Sequence, residues 1–214
     1  MLHLDTYKTK GLRKVLAEEL KNKGITSIPV LSAIEKIPRH LFIDSSFVEF
    51  AYQDKAFPIG EGQTISQPFT VAKQSELLHV NPQEKILEIG TGSGYQACVL
   101  LELGAKVFTI ERQRNLYLKT KDLFKTLNYH PKCFYGDGYA GLPNFAPFDK
   151  IIVTCGAPFV PEPLKQQLKV GGIMVIPVGE NAQQMHVYTK LSDTEFSCDE
   201  HGEFRFVPML ESRK

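Results

Sequence analysis

Several features that mark particular classes of protein are absent from this sequence of 214 residues. There is no tryptophan, and the net charge at pH 7 is only +1, because 25 basic residues nearly balance 24 acidic ones. A chain so close to neutrality has no overall field that draws it to nucleic acid or to an anionic membrane, so we expect neither partner. The N-terminus also lacks a long apolar run, so we expect no signal peptide and no membrane span.

Cysteine and histidine are present, but not in the patterns that build disulfide frameworks or metal sites. The four cysteines include no C-x-x-C pair and the six histidines no H-x-x-x-H pair; the residues are Cys98, Cys133, Cys155, Cys198, His3, His40, His79, His130, His186 and His201. We therefore expect free thiols in a reducing compartment, a cytoplasmic location and no metal ion.

Apolar strands alternate with helical patterns from residue 85 onward. The predicted strands cover residues 85–89, 106–111, 133–135, 150–154 and 173–176. Near-continuous apolar strands separated by helices are typical of a parallel sheet that is covered on both faces. The sequence therefore predicts an α/β fold with a doubly wound, mostly parallel, Rossmann-like sheet.

Both ends of the chain are predicted to add elements to this sheet. Apolar spacing predicts N-terminal helices at residues 11–23, 30–37 and 70–79. Two strands at residues 185–191 and 204–210 are predicted to form a C-terminal β-hairpin.

Three connecting segments are predicted from their composition. Residues 58–68, rich in glycine, proline and hydroxyl groups, are predicted to be a loop, and the acidic residues 192–203 a turn. A helix that begins at Pro161 is predicted to end at Gly171 and Gly172.

Three glycines at alternate positions follow the first strand of the predicted sheet. Gly90, Gly92 and Gly94 precede a helical pattern that starts at Tyr95. Glycine accepts positive φ angles and lets a ligand contact the backbone, and the helix N-terminus adds unpaired N–H groups. Strand, glycine turn and helix together indicate a nucleotide-binding unit. The spacing differs from the dinucleotide pattern G-x-G-x-x-G and resembles motif I of the S-adenosylmethionine-dependent methyltransferases.

Acidic residues lie at the ends of three successive predicted strands. Glu111 follows the glycine turn by about 20 residues, where a carboxylate can accept both ribose hydroxyl groups. Asp137 is placed to meet an adenine amino group, and Glu88 to meet a ligand ammonium through backbone or water. Each of them singly can also be a solvated strand end, but the ordered set of three favours one ligand site. Ser66, in the loop at residues 58–68, is a candidate contact to a substrate or a turn hydroxyl bonded to backbone.

The chain resembles the protein-L-isoaspartate O-methyltransferase family from about residue 25 to residue 210. The matching stretches, in order, are Ile37-Pro38-Arg39-His40-Leu41-Phe42, Ala51-Tyr52-Gln53-Asp54, Ile59-Gly60-Glu61-Gly62-Gln63-Thr64-Ile65-Ser66-Gln67-Pro68, Leu87-Glu88-Ile89-Gly90-Thr91-Gly92-Ser93-Gly94-Tyr95, Ile110-Glu111-Arg112, Gly136-Asp137-Gly138, Ala146-Pro147-Phe148-Asp149, Gln167-Leu168-Lys169, Ile176-Pro177-Val178-Gly179 and Phe206-Val207-Pro208. The Thr64-Ile65-Ser66-Gln67-Pro68 segment is the part specific to this family.

The resemblance implies methyl transfer from S-adenosylmethionine to the α-carboxylate of L-isoaspartyl residues, which starts repair of damaged proteins and peptides through a succinimide. It implies a catalytic Ser66 and substrate contacts from Ile65, Ser66 and Val207. The residues expected to bind the methyl donor are Glu88, Gly90, Gly92, Glu111, Asp137 and Gly138. Isoaspartyl proteins and peptides are the expected partners, and a monomer is favoured.

The implied organisation is one methyltransferase domain over residues 1–214. It divides into an N-terminal helical segment with the active-site loop at 1–80, a cofactor-binding core at 81–180 and C-terminal strands at 181–214. Two departures from the family pattern are Gln74-Ser75, where a Met-Thr pair is usual, and Met209, where leucine is usual. The alternatives are another S-adenosylmethionine-dependent methyltransferase with a different substrate, or a nicotinamide-dependent oxidoreductase.

Overall fold

The structure is a computed structural model that describes residues 5–214. His3 is the one histidine outside that range. The described chain opens with α1 at Tyr7–Asn22, which begins a turn earlier than residue 11. Thr6 and Thr9 explain the early start, because the side chain of each accepts a hydrogen bond from the backbone N–H of the other. This capping box satisfies donors that the first helical turn leaves unpaired.

Short elements connect α1 to the main sheet. Helix α2 spans Ile28–Lys36 and α3 spans Pro68–Leu77. Between them, β1 at Phe57–Gly60 and β2 at Gln63–Ile65 form an antiparallel hairpin. The prediction of a loop throughout residues 58–68 was therefore wrong. Strands of four and three residues that contain proline and glycine carry no alternating pattern, so only their pairing makes them strands.

Within residues 5–214 the central sheet has seven strands in the order β5-β4-β3-β6-β7-β8-β9. Their bounds are β3 Lys85–Ile89, β4 Lys106–Glu111, β5 Lys132–Tyr135, β6 Phe148–Val153, β7 Leu168–Val178, β8 Gln183–Lys190 and β9 Phe196–Phe204. Strands β3 to β7 pair in parallel, and β8 and β9 are antiparallel. The intervening helices are α4 Tyr95–Glu102, α5 Arg114–Thr126 and α6 Glu162–Gln166. The predicted Rossmann-like sheet is confirmed.

The strand order predicts a ligand site at the carboxyl ends of the central strands. The chain moves outward from β3 to β4 and β5 and then returns to β6 on the other side of β3. Ligands of such sheets bind at the carboxyl ends of the strands where the order reverses. Here that position lies beyond the ends of β3, β4 and β6.

The helix before β7 is shorter than predicted. It ends at Gln166, and the glycines expected to terminate it, Gly171 and Gly172, lie inside β7. The pairing of β6 with β7 shifts register between Phe148 and Lys150, so β7 carries an irregularity in this part of its length. From sequence alone, a glycine pair indicates the end of a helix. It can be recognised as part of a strand irregularity only when the partner strand is known.

The last strand lies earlier than predicted. Strand β9 occupies residues that were expected to form an acidic turn, and residues 205–210 contribute only one isolated bridge, between Pro208 and Gly156. The predicted hairpin therefore exists, but its second strand was wrongly placed. Most of β9 is exposed at the edge of the sheet, so its composition is polar and hides the strand.

Two hydrophobic cores lie on the two faces of the sheet. The first includes Leu20 of α1, Ile86 of β3 and Phe124 of α5. The second includes Leu87 of β3 and Leu164 of α6. Because successive strand residues point to opposite faces, Ile86 and Leu87 belong to different cores. The sheet thus forms a rigid support for the loops at its carboxyl edge.

Candidate active site

A cleft opens at the carboxyl ends of β3, β4 and β6, where the strand order reverses; we call it the first cleft. It contains about 820 Å³ of empty space, including the part open to solvent, which is in the usual range for a small-molecule site. Most of the residues predicted from the sequence line it, namely Ile65, Ser66, Gly90, Gly92, Glu111, Gly138 and Val207. The two that do not are Glu88 and Asp137.

Helix α5 holds the glycine turn in place. Gly94 precedes α4 with φ of 86°, a conformation that favours glycine. A Cβ atom at this position would lie 2.7 Å from the ring of Phe124, so the turn and α5 are in close contact. The Thr120 hydroxyl of the same helix donates to the Gly92 carbonyl at 2.6 Å. The turn therefore presents its backbone to the first cleft from a fixed position.

Glu111 fastens the glycine turn to the end of β4. Its side chain is buried, and its carboxylate oxygens accept hydrogen bonds from the backbone N–H groups of Gly92 at 2.9 Å and Gln113 at 2.8 Å. Each carboxylate oxygen can accept more than one hydrogen bond, so these contacts leave acceptor capacity. The predicted contact with ribose hydroxyl groups stays a prediction.

Asp137 holds the C-terminal segment and lies behind the first cleft. Its carboxylate accepts hydrogen bonds from the backbone N–H groups of Tyr139 at 2.9 Å and Ser212 at 3.0 Å. The adjacent Gly138 does line the cleft, and a Cβ atom there would lie 2.6 Å from Cγ2 of Ile89. Only glycine fits this position without displacing β3. The predicted contact of Asp137 with adenine stays a prediction.

Glu88 is fully buried within β3. Neither of its carboxyl oxygens has a hydrogen-bond partner among residues 5–214. Burial raises the pKa of Glu88 to about 8; the neighbouring Thr109 side chain acts to lower this pKa, and the nearby Glu111 carboxylate acts to raise it. In most molecules the Glu88 carboxyl group is therefore protonated at neutral pH. Its predicted contact with a ligand ammonium through backbone or water is untested.

A second cleft adjoins the first. It is lined by Ala56, Thr64, Ser66, Gln67, Phe69, Thr70, Thr154, Glu203, Phe204, Arg205, Phe206 and Val207. The two clefts have four lining residues in common, Thr64, Ser66, Thr154 and Val207. A group bound in one cleft therefore meets a group bound in the other at these residues.

Ser66 is half-buried at this junction. Its hydroxyl makes no hydrogen bond with any other residue in the described range, 5–214. Its backbone carbonyl accepts a hydrogen bond from Nη2 of Arg39 at 2.9 Å. The alternative of a turn hydroxyl bonded to nearby backbone is therefore not what the structure contains. The hydroxyl is available to a group in either cleft.

Arg39 anchors the loop that carries Ser66, a role that the sequence did not suggest. It is fully buried, and besides Ser66 it donates to the carbonyls of Ala51 at 3.2 Å and Lys55 at 3.1 Å. Its guanidinium carbon lies 4.9 Å from the ring centroid of Tyr95. Burial lowers the pKa of Arg39 to about 10, so the side chain remains charged at neutral pH. The matching stretch around Pro38 contained Arg39, but sequence does not show which carbonyls a charged residue meets.

Val207 belongs to an extended segment that pairs with the loop after β6. The Val207 carbonyl accepts from the Gly156 N–H at 2.8 Å, and the Met209 N–H donates to the Gly156 carbonyl at 2.7 Å. The side chain of Gln183 accepts from the N–H of Phe206 at 2.8 Å. These bonds hold the segment against both clefts without making it a regular strand.

The polar groups of the first cleft include glycine backbone, hydroxyl groups, the Gln96 amide and the Glu111 carboxylate, which suit an organic ligand with several hydroxyl and amino groups. Nowhere in residues 5–214 do three or more histidine, cysteine, aspartate or glutamate side chains form a group that could hold a metal ion. Over the same range, no helix has the length and apolarity needed to cross a bilayer.

Known proteins match this sequence over almost its whole length. The sequence model of the family described as protein-L-isoaspartate(D-aspartate) O-methyltransferase matches residues 11–214. The protein-L-isoaspartate O-methyltransferase of Flavobacterium johnsoniae is 62% identical over 210 residues, which are 98% of this chain and 99% of that protein. The protein of the same name from Christiangramia forsetii is 60% identical over 210 residues, with the same coverage.

Solved structures agree with the sequence matches. A structure named protein-L-isoaspartate O-methyltransferase superposes with a TM-score of 0.83 at 31% identity, over 92% of this chain and 65% of that longer chain. A Plasmodium falciparum structure, described as a putative protein-L-isoaspartate O-methyltransferase in complex with S-adenosyl-L-homocysteine, gives a TM-score of 0.81 at 25% identity, over 92% of this chain and 98% of the other. The match of the family model to residues 11–214 and the identity of 62% to a relative of nearly the same length show that this chain belongs to the protein-L-isoaspartate O-methyltransferase family.

Proposed function

We propose that this protein transfers a methyl group from S-adenosylmethionine to the α-carboxylate of an L-isoaspartyl residue in a damaged protein or peptide. The observation that carries the proposal is the junction of two clefts at Ser66. A transfer between two bound molecules needs a donor site and an acceptor site that share a wall. Holding both reactants in line can supply roughly 7–11 kcal/mol of the reduction in barrier.

The first cleft fits the methyl donor. When bound, S-adenosylmethionine supplies an electrophilic methyl group attached to a sulfonium. Gly90, Gly92 and Gly138 present backbone without a side chain to the cleft, and a Cβ atom at Gly138 would collide with Ile89. Glu111 lies at the end of β4 with acceptor capacity for ribose hydroxyl groups. These residues suit a ligand that has hydroxyl and amino groups and no phosphate.

The Ser66 hydroxyl is assigned to the acceptor carboxylate. A carboxylate is already ionised at neutral pH, so the reaction requires no general base. The side chain must instead hold one carboxylate oxygen in line with the methyl group, and a neutral hydroxyl can do this by donating one hydrogen bond. A cationic group would stabilise the ionised ground state more than the transition state, in which the charge is being neutralised.

The second cleft is assigned to the substrate chain. Its lining includes the apolar side chains of Phe69, Phe204 and Phe206 and the extended backbone near Val207. Damaged sites occur in many sequence contexts, so main-chain contacts suit them better than selective side-chain pockets. The backbone nitrogen of the next residue then attacks the methyl ester and displaces methanol, which forms a succinimide, and hydrolysis of the succinimide returns some normal aspartate. The partners are therefore isoaspartyl proteins and peptides.

A pair of peptides tests the proposed function. One contains an L-isoaspartyl residue, and its twin has normal aspartate at the same position. Each is incubated with the protein and S-adenosylmethionine carrying a labelled methyl group. We expect base-labile methyl ester on the isoaspartyl peptide and little on the twin. Equal labelling of the two peptides, or none on either while another acceptor is methylated, would contradict the proposal.

We also propose how the protein is organised and where it works. Residues 1–214 form one methyltransferase domain, in which the segment 1–80 supplies the Ser66 loop, 81–180 the donor-binding core and 181–214 the C-terminal strands. The four cysteines are free, as expected for a cytoplasmic protein. A monomer is sufficient, because residues of a single chain line both clefts. Sedimentation at micromolar concentration would measure the oligomeric state.

A further inference from the structure

A buried glutamine lines the first cleft with an unpaired acceptor. Gln96, the second residue of α4, is 7% exposed. Its side-chain carbonyl oxygen, Oε1, has no hydrogen-bond partner among residues 5–214. Buried polar atoms are nearly always paired, so an unpaired acceptor at the wall of a cleft points to a donor on a ligand.

The orientation of the Gln96 amide follows from its neighbours. The Ser75 hydroxyl donates to the carbonyl of Val71 at 2.8 Å, so it can only accept from Gln96. Nε2 of Gln96 lies 2.8 Å from this hydroxyl and is the donor. With the amide nitrogen directed to Ser75, Oε1 is the polar atom of the Gln96 side chain left unpaired within residues 5–214, in a residue that lines the first cleft. Ser75 therefore positions Gln96, at a site where the usual family residue, threonine, also carries a hydroxyl.

The position of Gln96 within the cleft indicates which part of a ligand it meets. Glu111 and Gly138 lie on the β4 and β5 side of the glycine turn, where the ribose and adenine are assigned. Gln96 is hydrogen-bonded to Ser75 of α3, and the adjacent Gln74 donates to Val153 of β6, which lies on the other side of β3. A ligand that spans the cleft from Glu111 therefore brings its amino-acid end towards Gln96.

We propose that Oε1 of Gln96 accepts a hydrogen bond from the ammonium group of the methyl donor, and that Ser75 positions it to do so. The N-terminus of α4 disfavours a cation, because the helix dipole is positive there. A carbonyl acceptor in the first turn offsets this effect. The inference rests on the proposed function, since it takes an S-adenosyl compound as the ligand.

Calorimetric titration with two ligands tests this inference. One is S-adenosylhomocysteine, and the other is the same thioether with hydrogen in place of the amino group. In Gln96→Leu we expect about tenfold weaker binding of S-adenosylhomocysteine, which corresponds to about 1.4 kcal/mol. Binding of the deaminated ligand should be the same in the variant and the original protein.

Three further variants and one kinetic measurement complete the test. Gln74→Leu is the matched control: Gln74 is also buried, but it donates to Val153 and does not line the cleft, so it should not discriminate between the ligands. Ser75→Ala should show a smaller loss for S-adenosylhomocysteine alone, and it keeps the inference testable if Gln96→Leu does not fold. Gln96→Glu, which keeps an acceptor, should restore selectivity for the amino group.

The outcomes separate the inference from the proposed function. Equal losses for both ligands, or no loss for either, would overturn the role of Gln96. A rise in KM for the isoaspartyl peptide with unchanged binding of S-adenosylhomocysteine would assign Oε1 to a substrate N–H instead, and would also overturn it. If the original protein bound no S-adenosylhomocysteine, the proposed function itself would fail.

Discussion

Ser66 is the residue through which the proposed reaction is most directly tested. Ser66→Ala removes the only side-chain group assigned to the acceptor carboxylate, so we expect kcat to fall on the order of 100-fold, as misplacement of a reacting group does. Affinity for S-adenosylhomocysteine should change little. Steady-state kinetics with an isoaspartyl peptide and titration with S-adenosylhomocysteine measure the two effects.

Ser93→Ala is the matched control for Ser66. The Ser93 side chain lines the first cleft but not the second, so its loss should alter the KM for the methyl donor more than kcat. Equal kcat for Ser66→Ala and the original protein would remove Ser66 from the reaction. Equal effects of the two substitutions would make Ser66 part of the donor site only.

Glu88 makes stability depend on pH. Its folded-state pKa of about 8 is above the model-peptide value of 4.5, so the folded protein holds a proton that the unfolded chain releases. The folded state is therefore favoured fully below pH 4.5 and loses this contribution as the pH rises towards 8. Glu88→Gln cannot release the proton. We expect the free energy of unfolding of this variant, relative to the original protein, to rise between pH 5 and pH 8.

Denaturant unfolding without ligand at the two pH values measures that difference. The raised pKa of Glu88 changes this difference in the free energy of unfolding by at most a few kcal/mol between the two pH values. Asp122→Asn, at an exposed position on α5, is the control and should show no comparable dependence. A constant difference between Glu88→Gln and the original protein from pH 5 to pH 8 would contradict the raised pKa.

Arg39 links the 3-10 helix Arg39–Phe42 to the Ser66 loop. Arg39→Lys keeps the charge but cannot reach three carbonyls in fixed directions. Two lost bonds to a charged donor destabilise the fold by roughly 3–6 kcal/mol. We expect kcat to fall more than donor affinity, because the loop that carries Ser66 loosens while the glycine turn is held by α5.

Denaturant unfolding and the peptide assay measure the effects of Arg39→Lys. Lys36→Arg, on the exposed part of the neighbouring helix α2, is the control, because it also exchanges lysine and arginine but at an exposed position. If Arg39→Lys lowered donor affinity and kcat equally, the loop and the turn would respond as one unit. That result would refute the separate anchoring inferred from the hydrogen bonds.

The elements that the sequence predicted correctly are those with a strong local pattern. The strands β3, β4 and β6 are apolar runs between helices, so each was placed within a few residues. The errors concern β1, β2, β9 and the start of β7. These strands are short, exposed or rich in glycine, and hydrogen-bonded pairing with another strand, not their own composition, makes them strands.

The C-terminal segment is hydrogen-bonded to residues beside the first cleft. Besides the bond from Ser212 to Asp137, the Arg112 side chain donates to the carbonyls of Glu211 and Ser212 at 3.1 Å and 2.9 Å. These contacts hold Met209, with its departure from the usual leucine, and Leu210 at the wall of the first cleft.

Removing residues 211–214 should therefore weaken binding of S-adenosylhomocysteine by roughly three- to tenfold, the equivalent of about 1 kcal/mol. The full chain with Asp137→Ala should show a loss in the same direction, because the segment loses one of its anchors. Titration calorimetry measures both. Unchanged affinity in the shortened protein would show that Met209 and Leu210 keep their places without these anchors.

The sequence by itself determined the sheet class, the glycine turn and the family, because these depend on local patterns: apolar runs, glycine spacing and a short specific loop. Only the tertiary structure decided what each polar residue contacts. Asp137 binds backbone instead of lining the cleft, Glu88 is fully buried inside β3, and Arg39 supports Ser66. The reason is physical: hydrogen bonds, burial and pKa depend on atoms brought together from distant parts of the chain, which no local pattern records.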